Sequence, residues 1–195
     1  LEWIESLLAQ ANLSLSELEA IAVGVGPGAF TGIRIGVGVS QGLAYGANLP
    51  CVPVICLDAV ALEGIQQLAL KNGDELLVAV DARMSEIYWA NYQVGEDGLP
   101  KALSEIYLTS PKEIKNLSST FYLVGNAADV YLEELAKLKS DAQGFFLDAL
   151  PHALSIATLA FKELENGRKV DPEDLLPIYV RDKVAQTIAE RAASK

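Results

Sequence analysis

The stretch from residue 24 to residue 46, GVGPGAFTGIRIGVGVSQGLAYG, sets the tightest limit on what this chain can fold into. Its twenty-three positions hold eight glycines and one charged side chain, Arg34. The apolar run AIAVGV (20–25) reads as a buried strand, and the residues from about Thr31 to Ala47 read as a helix. Gly32, Gly36, Gly38 and Gly42 then fall inside that helix, where each costs about 1 kcal/mol relative to alanine. A phosphate, a cofactor or a second helix must offset several such costs.

A strand, a glycine turn and a helix N-terminus together make an anion site. The P-loop pattern, however, ends in Gly-Lys-Ser/Thr, and no lysine follows here. Gly24, Gly26 and Ala29 fit a dinucleotide fingerprint only loosely. The acidic residue due about 20 positions later is missing, since no Asp or Glu lies between Glu19 and Asp58. Packing explains more. Gly32, Gly36 and Ser40 share one helical ridge, and Gly38, Gly42 and Gly46 share another, with Val37, Val39 and Leu43 between them. A helix with no polar face must be covered on more than one side. One ridge can lie on a sheet and the other can admit a second helix closely. The opening segment LEWIESLLAQA, helical by the spacing of Ile4, Leu7, Leu8 and Ala11, is expected to supply part of that cover and a partner subunit the rest. The sequence leaves open which ridge faces outward.

That opening helix starts without Met or a cap, which suggests that residues in front of it have been lost. SLSE (14–17) reads as a capping box. A strand around CVPVI follows the glycine-rich helix, and Asp58 is expected to cap a helix running to Leu70, closed by Gly73. This strand-helix alternation argues for parallel pairing. The pattern then changes. ELLVAVDARMSEIYWANYQV and KALSEIYL suggest three strands in an antiparallel meander. SPKEIKNL reads as a helix start with Ser110 as N-cap and Pro111 in the first turn. FYLVG reads as a strand, AADVYLEELAKLK as an amphipathic helix, and PHALSIATLAFKELENG as a longer helix entered at Pro151 and stopped by Gly167. The tail DPEDLLPIYVRDKVAQ reads as loop, an extended PIYV and a charged end.

A boundary near residues 71–75 gives residues 1–72 as the remainder of a first lobe carrying a dimerisation surface, 73–170 as a second lobe, and 171–195 as a C-terminal tail. The second half has a ribonuclease-H-like order, and the first resembles the back of that order with its meander absent, as an internal duplication would leave it. The expected fold class is α/β, with two ribonuclease-H-like lobes and the first incomplete at its N-terminus.

Bulk composition narrows the function. The chain has 195 residues, 51% hydrophobic and 21% charged, with a formal net charge of −11. Without a basic run it is poorly suited to grip nucleic acid alone, because Lys and Arg neutralising phosphates supply most of that affinity. Cys51 and Cys56 flank CVPVIC, which reads as a buried strand with small apolar side chains. With one histidine they make no zinc set. Nothing reads as a signal peptide or membrane span, so the protein is expected to be cytoplasmic.

Three separated motifs then carry a resemblance. VGVGPGAFTGIRIGVGVSQGLAYGANLPCVPV resembles the G-P-G-[SA]-F-T-G-[VIL]-R-[IVL]-G motif of the bacterial threonylcarbamoyladenosine biosynthesis family TsaB (YeaZ). That family belongs to the sugar-kinase/Hsp70/actin superfamily. VAVDARMSEIYWANYQ is similar to its D-A-R-x-x-E-[VI]-Y hairpin, and PIYVRDKVA to its P-x-Y-[LV]-R. The resemblance implies a non-catalytic subunit. It would pair with a related ATP- and metal-binding subunit, TsaD, which transfers the threonylcarbamoyl group to adenosine 37 of tRNA. It would also join the P-loop protein TsaE, and form homodimers. On that reading ATP and metal sit on the partner, this chain binds no cofactor tightly, and tRNA is met only through the complex. The helices 1–11 and 31–47 would form the interface, giving Trp3, Ile4, Leu7, Gly32, Gly36, Val39, Ser40 and Leu43 as its candidates. Relatives begin with a further meander carrying an Asp-Thr-Ser/Ala strand, which this sequence lacks.

Catalytic candidates are few. The single histidine, His152, reads as a surface or capping residue, and no Ser-His-Asp or Cys-His set can be assembled around it. Asp81 and Arg83 stand where the superfamily approaches phosphate. With Gly26 and Gly28 they are the phosphate-proximal candidates, against a plain Asp–Arg pair in a polar turn. The alternative function is a free-standing small ATPase or peptidase of the same fold.

Overall fold

The computed structural model describes residues 1–115 and 118–180. Asn116 and Leu117 of SPKEIKNL, and the end of the tail motif from Arg181 onward, lie outside the described residues.

Two sheets organise the chain. The first is the parallel pair β1 (Ile21–Gly26) and β2 (Cys51–Ile55), in register from Ile21 opposite Cys51. Its side chains alternate between two cores, as the pleat requires. Ile21, Val23, Val25 and Cys51 pack toward the glycine-rich helix α2 (Phe30–Ala47), with its Val37 and Ala44. Ala22, Val52 and Val54 pack toward the late helix α6 (Ala153–Glu165), with its Ile156 and Ala160. The helix α1 (Glu2–Ala11) precedes this sheet and ends at Asn12 in the left-handed region.

The second sheet contains β3 (Glu75–Arg83), β4 (Glu86–Val94), β5 (Pro100–Ala102), β6 (Tyr107–Thr109), β7 (Tyr122–Val124) and β8 (Gly144–Phe146). Its order is β5-β4-β3-β7-β8. β3 and β4 are antiparallel, and β7 and β8 add in parallel on the other side of β3. This is the meander-then-parallel order read from the sequence. One face of this sheet, including Leu76, Val78, Ala90 and Tyr92, is covered by α3 (Cys56–Gln67) through Leu57, Val60, Ala61 and Ile65. The other face, including Leu77, Ala79 and Trp89, is covered by the short helix α4 (Ala127–Val130) and by Leu135 and Leu138 around α5 (Ala136–Asp141). Helices α3 and α6 therefore lie between the sheets, with α2 and the α4–α5 segment outside.

Several elements differ from expectation for local reasons. Helix α3 starts at Cys56, so Asp58 lies in its first turn rather than at its cap. It stops at Gln67 because Ala69, at φ 50°, takes the left-handed position, and the Leu70 N–H returns to the Ile65 carbonyl at 3.0 Å. Gly73 serves a later turn. The segment KALSEIYL is two strands on one edge of β4, parted where the Ser104 hydroxyl accepts the Asn91 N–H at 3.0 Å. After Ser110 only a single 3-10 turn forms (Pro111–Glu113). AADVYLEELAKLK breaks into α4 and α5, with Ala127, Ala128 and Leu135 all buried in one core. Strand β8 escaped the sequence reading, since GFF carries no alternation. Helix α1 buries none of its ten residues and half-buries only Ile4 and Leu8, and it does not cover the Gly38, Gly42 and Gly46 ridge of α2, where no heavy atom stands within 4 Å of a Cβ.

Candidate functional site

β1 and β7 end alike. Each runs into a glycine with positive φ a few residues before a helix: Gly26 at φ 115°, ahead of α2 at Phe30, and Gly125 at φ 99°, ahead of α4 at Ala127. The Gly26–Pro27 peptide is cis. These two turns, the tip of the β3–β4 hairpin and the strap 175–180 converge on a cleft of about 470 Å³. Its lining includes Gly28, Phe30, Asp81, Arg83, Asn126 and Tyr179. The first two sequence motifs meet the described part of the third here.

Asp81 is the anchor of the hairpin side. Its side chain is 5% exposed and accepts the Tyr131 hydroxyl at 2.8 Å and the Arg83 N–H at 2.9 Å through Oδ1. Oδ2 faces Arg83 Nη1 at 3.1 Å, so the Asp–Arg pair of the turn is formed. Asn126 Oδ1 accepts the Asp81 N–H at 2.9 Å. Burial, reinforced by the bond to Asp81, pushes the Tyr131 hydroxyl up to about 12, so it stays a donor at neutral pH. Arg83, Met84 and Ser85 all have φ near 60°, a conformation that costs L-residues about 1 kcal/mol or more each. The Asp81 contacts hold this strained tip in place.

On the other wall, Arg34 lies over the Phe30 ring at 3.7 Å and donates from Nε to the Tyr179 hydroxyl at 2.7 Å. The Ile178 N–H donates to the Val25 carbonyl at 2.8 Å. A Cβ on Gly26 would come within 2.9 Å of the Ile178 carbonyl oxygen, so strap and glycine turn are fitted backbone to backbone. Of the phosphate-proximal candidates, Gly28, Asp81 and Arg83 line the cleft, and Gly26 lies behind it under the strap.

The interface candidates divide by face. Ser40 is 8% exposed and turned to the core, and Gly36 looks onto Val23. Gly38, Gly42 and Gly46 have no heavy atom within 4 Å of where a Cβ would stand. Around this open ridge lie exposed Ile35, Val39 and Tyr45, with Leu43 half-buried. On α1, Trp3 is 87% exposed, Leu7 is also exposed, and Ile4 is half-buried. Gly32 is exposed at the start of α2.

His152 is exposed at the N-cap of α6. Cys51 and Cys56 are free and buried, and burial pushes both thiols up, away from reactivity. Among the described residues no group of three or more His, Cys, Asp or Glu could hold a metal ion, and no helix is long and apolar enough to cross a membrane. Sequence reasoning missed Asn126 and Tyr131. The Gly-Asn pair after FYLV, echoing the glycine turn after AVGV, was the available signal.

A family model described as TsaD, tRNA N6-adenosine threonylcarbamoyltransferase, matches residues 1–189. The tRNA threonylcarbamoyladenosine biosynthesis protein TsaB of Escherichia coli (strain K12) is 35% identical over 193 residues, covering 95% of this chain and 80% of that protein. The chain belongs to the TsaB family. TsaB of Haemophilus influenzae (strain ATCC 51907 / DSM 11121 / KW20 / Rd) agrees at 31% identity over 195 residues, 94% of this chain and 79% of the relative. Among solved structures, YeaZ from Pseudomonas aeruginosa superposes with a TM-score of 0.80 at 30% identity, covering 90% of this chain and 80% of that one. A second Pseudomonas aeruginosa structure, described as an uncharacterized protein with similarity to peptidase YEAZ, gives 0.81 at 31% identity, with 91% and 81% covered. The TsaB fold, of the actin/Hsp70/sugar-kinase type, is thus shared over nearly the whole chain.

Proposed function

We propose that this chain is a non-catalytic subunit in tRNA threonylcarbamoyladenosine biosynthesis, the modification at adenosine 37. It pairs with a TsaD-type paralogue that carries ATP and metal, and with TsaE, in the cytoplasm. One observation carries the reading: the open ridge Gly38–Gly42–Gly46 on α2, flanked by exposed apolar side chains. A surface of that kind loses little by admitting a second helix at close range. Trp3, Ile4, Leu7, Gly32, Val39 and Leu43 contribute to the docking face, while Gly36 and Ser40 seat α2 on its own sheet from beneath. The net charge of −11 supports contact with tRNA only through the assembly. The same face serves a homodimer when the paralogue is absent. The parts that act together are residues 1–72 as the docking lobe and 73–170 as the second lobe, whose α6 packs back on the first sheet, with residues 171–180 crossing between them.

The test is co-purification with the TsaD-type paralogue, followed by a modification assay with and without this chain. The expected result is a specific complex, no turnover by this chain alone, and modification only with both. Turnover by the isolated chain, or full modification without it, contradicts the proposal.

A second reading is favoured by the cleft. Gly28, Asp81 and Arg83 line it together, so a phosphate-bearing ligand could be held there without reaction. Calorimetric titration with ATP and magnesium decides this; an absence of heat for the wild-type chain and for Arg83→Ala alike removes it.

A further inference from the structure

The strap 175–180 touches both cores. Leu175 is fully buried in the cluster of Val25, Val37 and Ala44, and its carbonyl accepts Gln41 Nε2 at 3.0 Å. Five residues on, Val180 packs against the second-sheet cluster that contains Ala82 and Tyr88. Between these ends the strap is tied to β1 by the Ile178 N–H and to α2 by the Arg34–Tyr179 hydrogen bond. Phe30 and Tyr179 bracket the guanidinium, with centroids 3.7 and 5.3 Å from it. These contacts differ from the docking face. They sit at the cleft end of α2, and Arg34 is the one charged residue in a glycine-rich stretch that packing alone would leave apolar.

We propose that residues 175–180 are a latch between the two sheets, fastened by Arg34 on Tyr179, that holds the cleft at one opening and couples it to α2. Guanidinium stacked on one ring and hydrogen-bonded to another is a directional contact that lysine cannot replace. The Ile178 carbonyl oxygen stands 2.9 Å from where a Cβ on Gly26 would be, so the strap lies directly on the glycine turn. With the latch closed, a shift of the α2 N-terminus carries the strap with it, and the cleft wall moves as one body. The consequence for partner binding rests on the proposed function, whereas the latch itself does not.

The experiment therefore uses the full chain alone. Spin labels on Thr158→Cys and Lys137→Cys, exposed positions on α6 and α5, report the distance between the sheets by electron-electron resonance. Cys51 and Cys56 are buried and stay in place. One narrow distance distribution is expected for the wild-type background, a broader one for Tyr179→Phe, and the broadest for Tyr179→Ala and Arg34→Ala. In parallel, amide exchange at Ile178 should quicken about tenfold or more in the alanine variants, while the amides of α2 beyond Val39 hold steady. Tyr179→Phe keeps the ring and loses only the hydroxyl, so it reads the latch even where a harsher variant fails to fold. A distribution equally narrow in all four proteins, or an Ile178 amide indifferent to Tyr179→Phe and Tyr179→Ala, overturns the latch.

Discussion

Asp58 sits in the first turn of α3 with Oδ1 receiving the Tyr92 hydroxyl at 2.7 Å, and burial outweighs that bond in holding its pKa above the ordinary carboxylate value. Nearby Glu163 pushes the same way. The folded state thus holds this proton more tightly than the unfolded chain does. The sign follows: stability is lost as pH rises from the ordinary value through the raised one, then levels off. Asp58→Asn keeps an acceptor for Tyr92 and removes the charge. Its melting temperature relative to wild type should climb as pH rises above the ordinary carboxylate value, and a difference flat with pH refutes the assignment. Glu17 works oppositely. Its pKa is lowered by the Ser14 N–H and hydroxyl, so its contribution is present above the ordinary value and fades only in stronger acid. Sequence could suggest a capping role for Glu17 because the partner is three residues away. It misjudged Asp58 because the partner lies 34 residues on, in another layer. Gly125 is a similar case. At φ 99° a Cβ would run into the Ala79 carbonyl and the Val80 side chain. Gly125→Ala should cost about 3 kcal/mol or more, readable by urea denaturation.

Helix α2 turns its glycines to two different uses, and the elements around it decide which. Gly36 faces Val23 across a gap only a Cβ could fill, so Gly36→Leu should strain the first sheet by about 1–3 kcal/mol. Gly42 faces open space in the isolated chain. Gly42→Ala should therefore stabilise the monomer by about 0.5–1 kcal/mol through helix propensity, and Gly42→Leu should leave it folded yet weaken association at least tenfold. Sedimentation alongside thermal melting separates the two effects; a destabilised Gly42→Leu monomer would place the outer ridge in the chain's own core. The two ridges themselves were legible, because helical spacing fixes which residues share a face. Which ridge met the sheet was not, since both are made of small, uncharged residues. The same limit explains AADVYLEELAKLK. Its apolar spacing suits one helix, yet the segment is two short helices whose Ala128 and Leu135 reach one core, a long-range packing that local spacing does not encode.

Across the whole molecule, the chain returns late to what it built early. Helix α6 packs on the first sheet, and Val170 bridges Cys51 with backbone hydrogen bonds of 2.9 Å both ways. The alternation of strands and helices could reveal the order within each sheet, but not this long return, because no local pattern encodes it. Helix α3 joins the halves. Tyr92 of β4 holds it on one side through Asp58, and Ser155 of α6 holds it on the other by donating to Glu63. With one strut gripped from both sheets, neither sheet can lose its packing alone, and unfolding should be a single transition. Trp89, 3% exposed in the second sheet, reports that sheet, while Trp3 is already in solvent. Ser155→Ala strips a part-buried carboxylate of its donor at the far side of α3 and should cost about 1–2 kcal/mol. If the halves are coupled as described, the midpoint seen by Trp89 fluorescence and the midpoint seen by far-ultraviolet circular dichroism fall together by the same amount in that variant. A fluorescence midpoint that stays put while the dichroism midpoint drops would mean that the second sheet stands without the first.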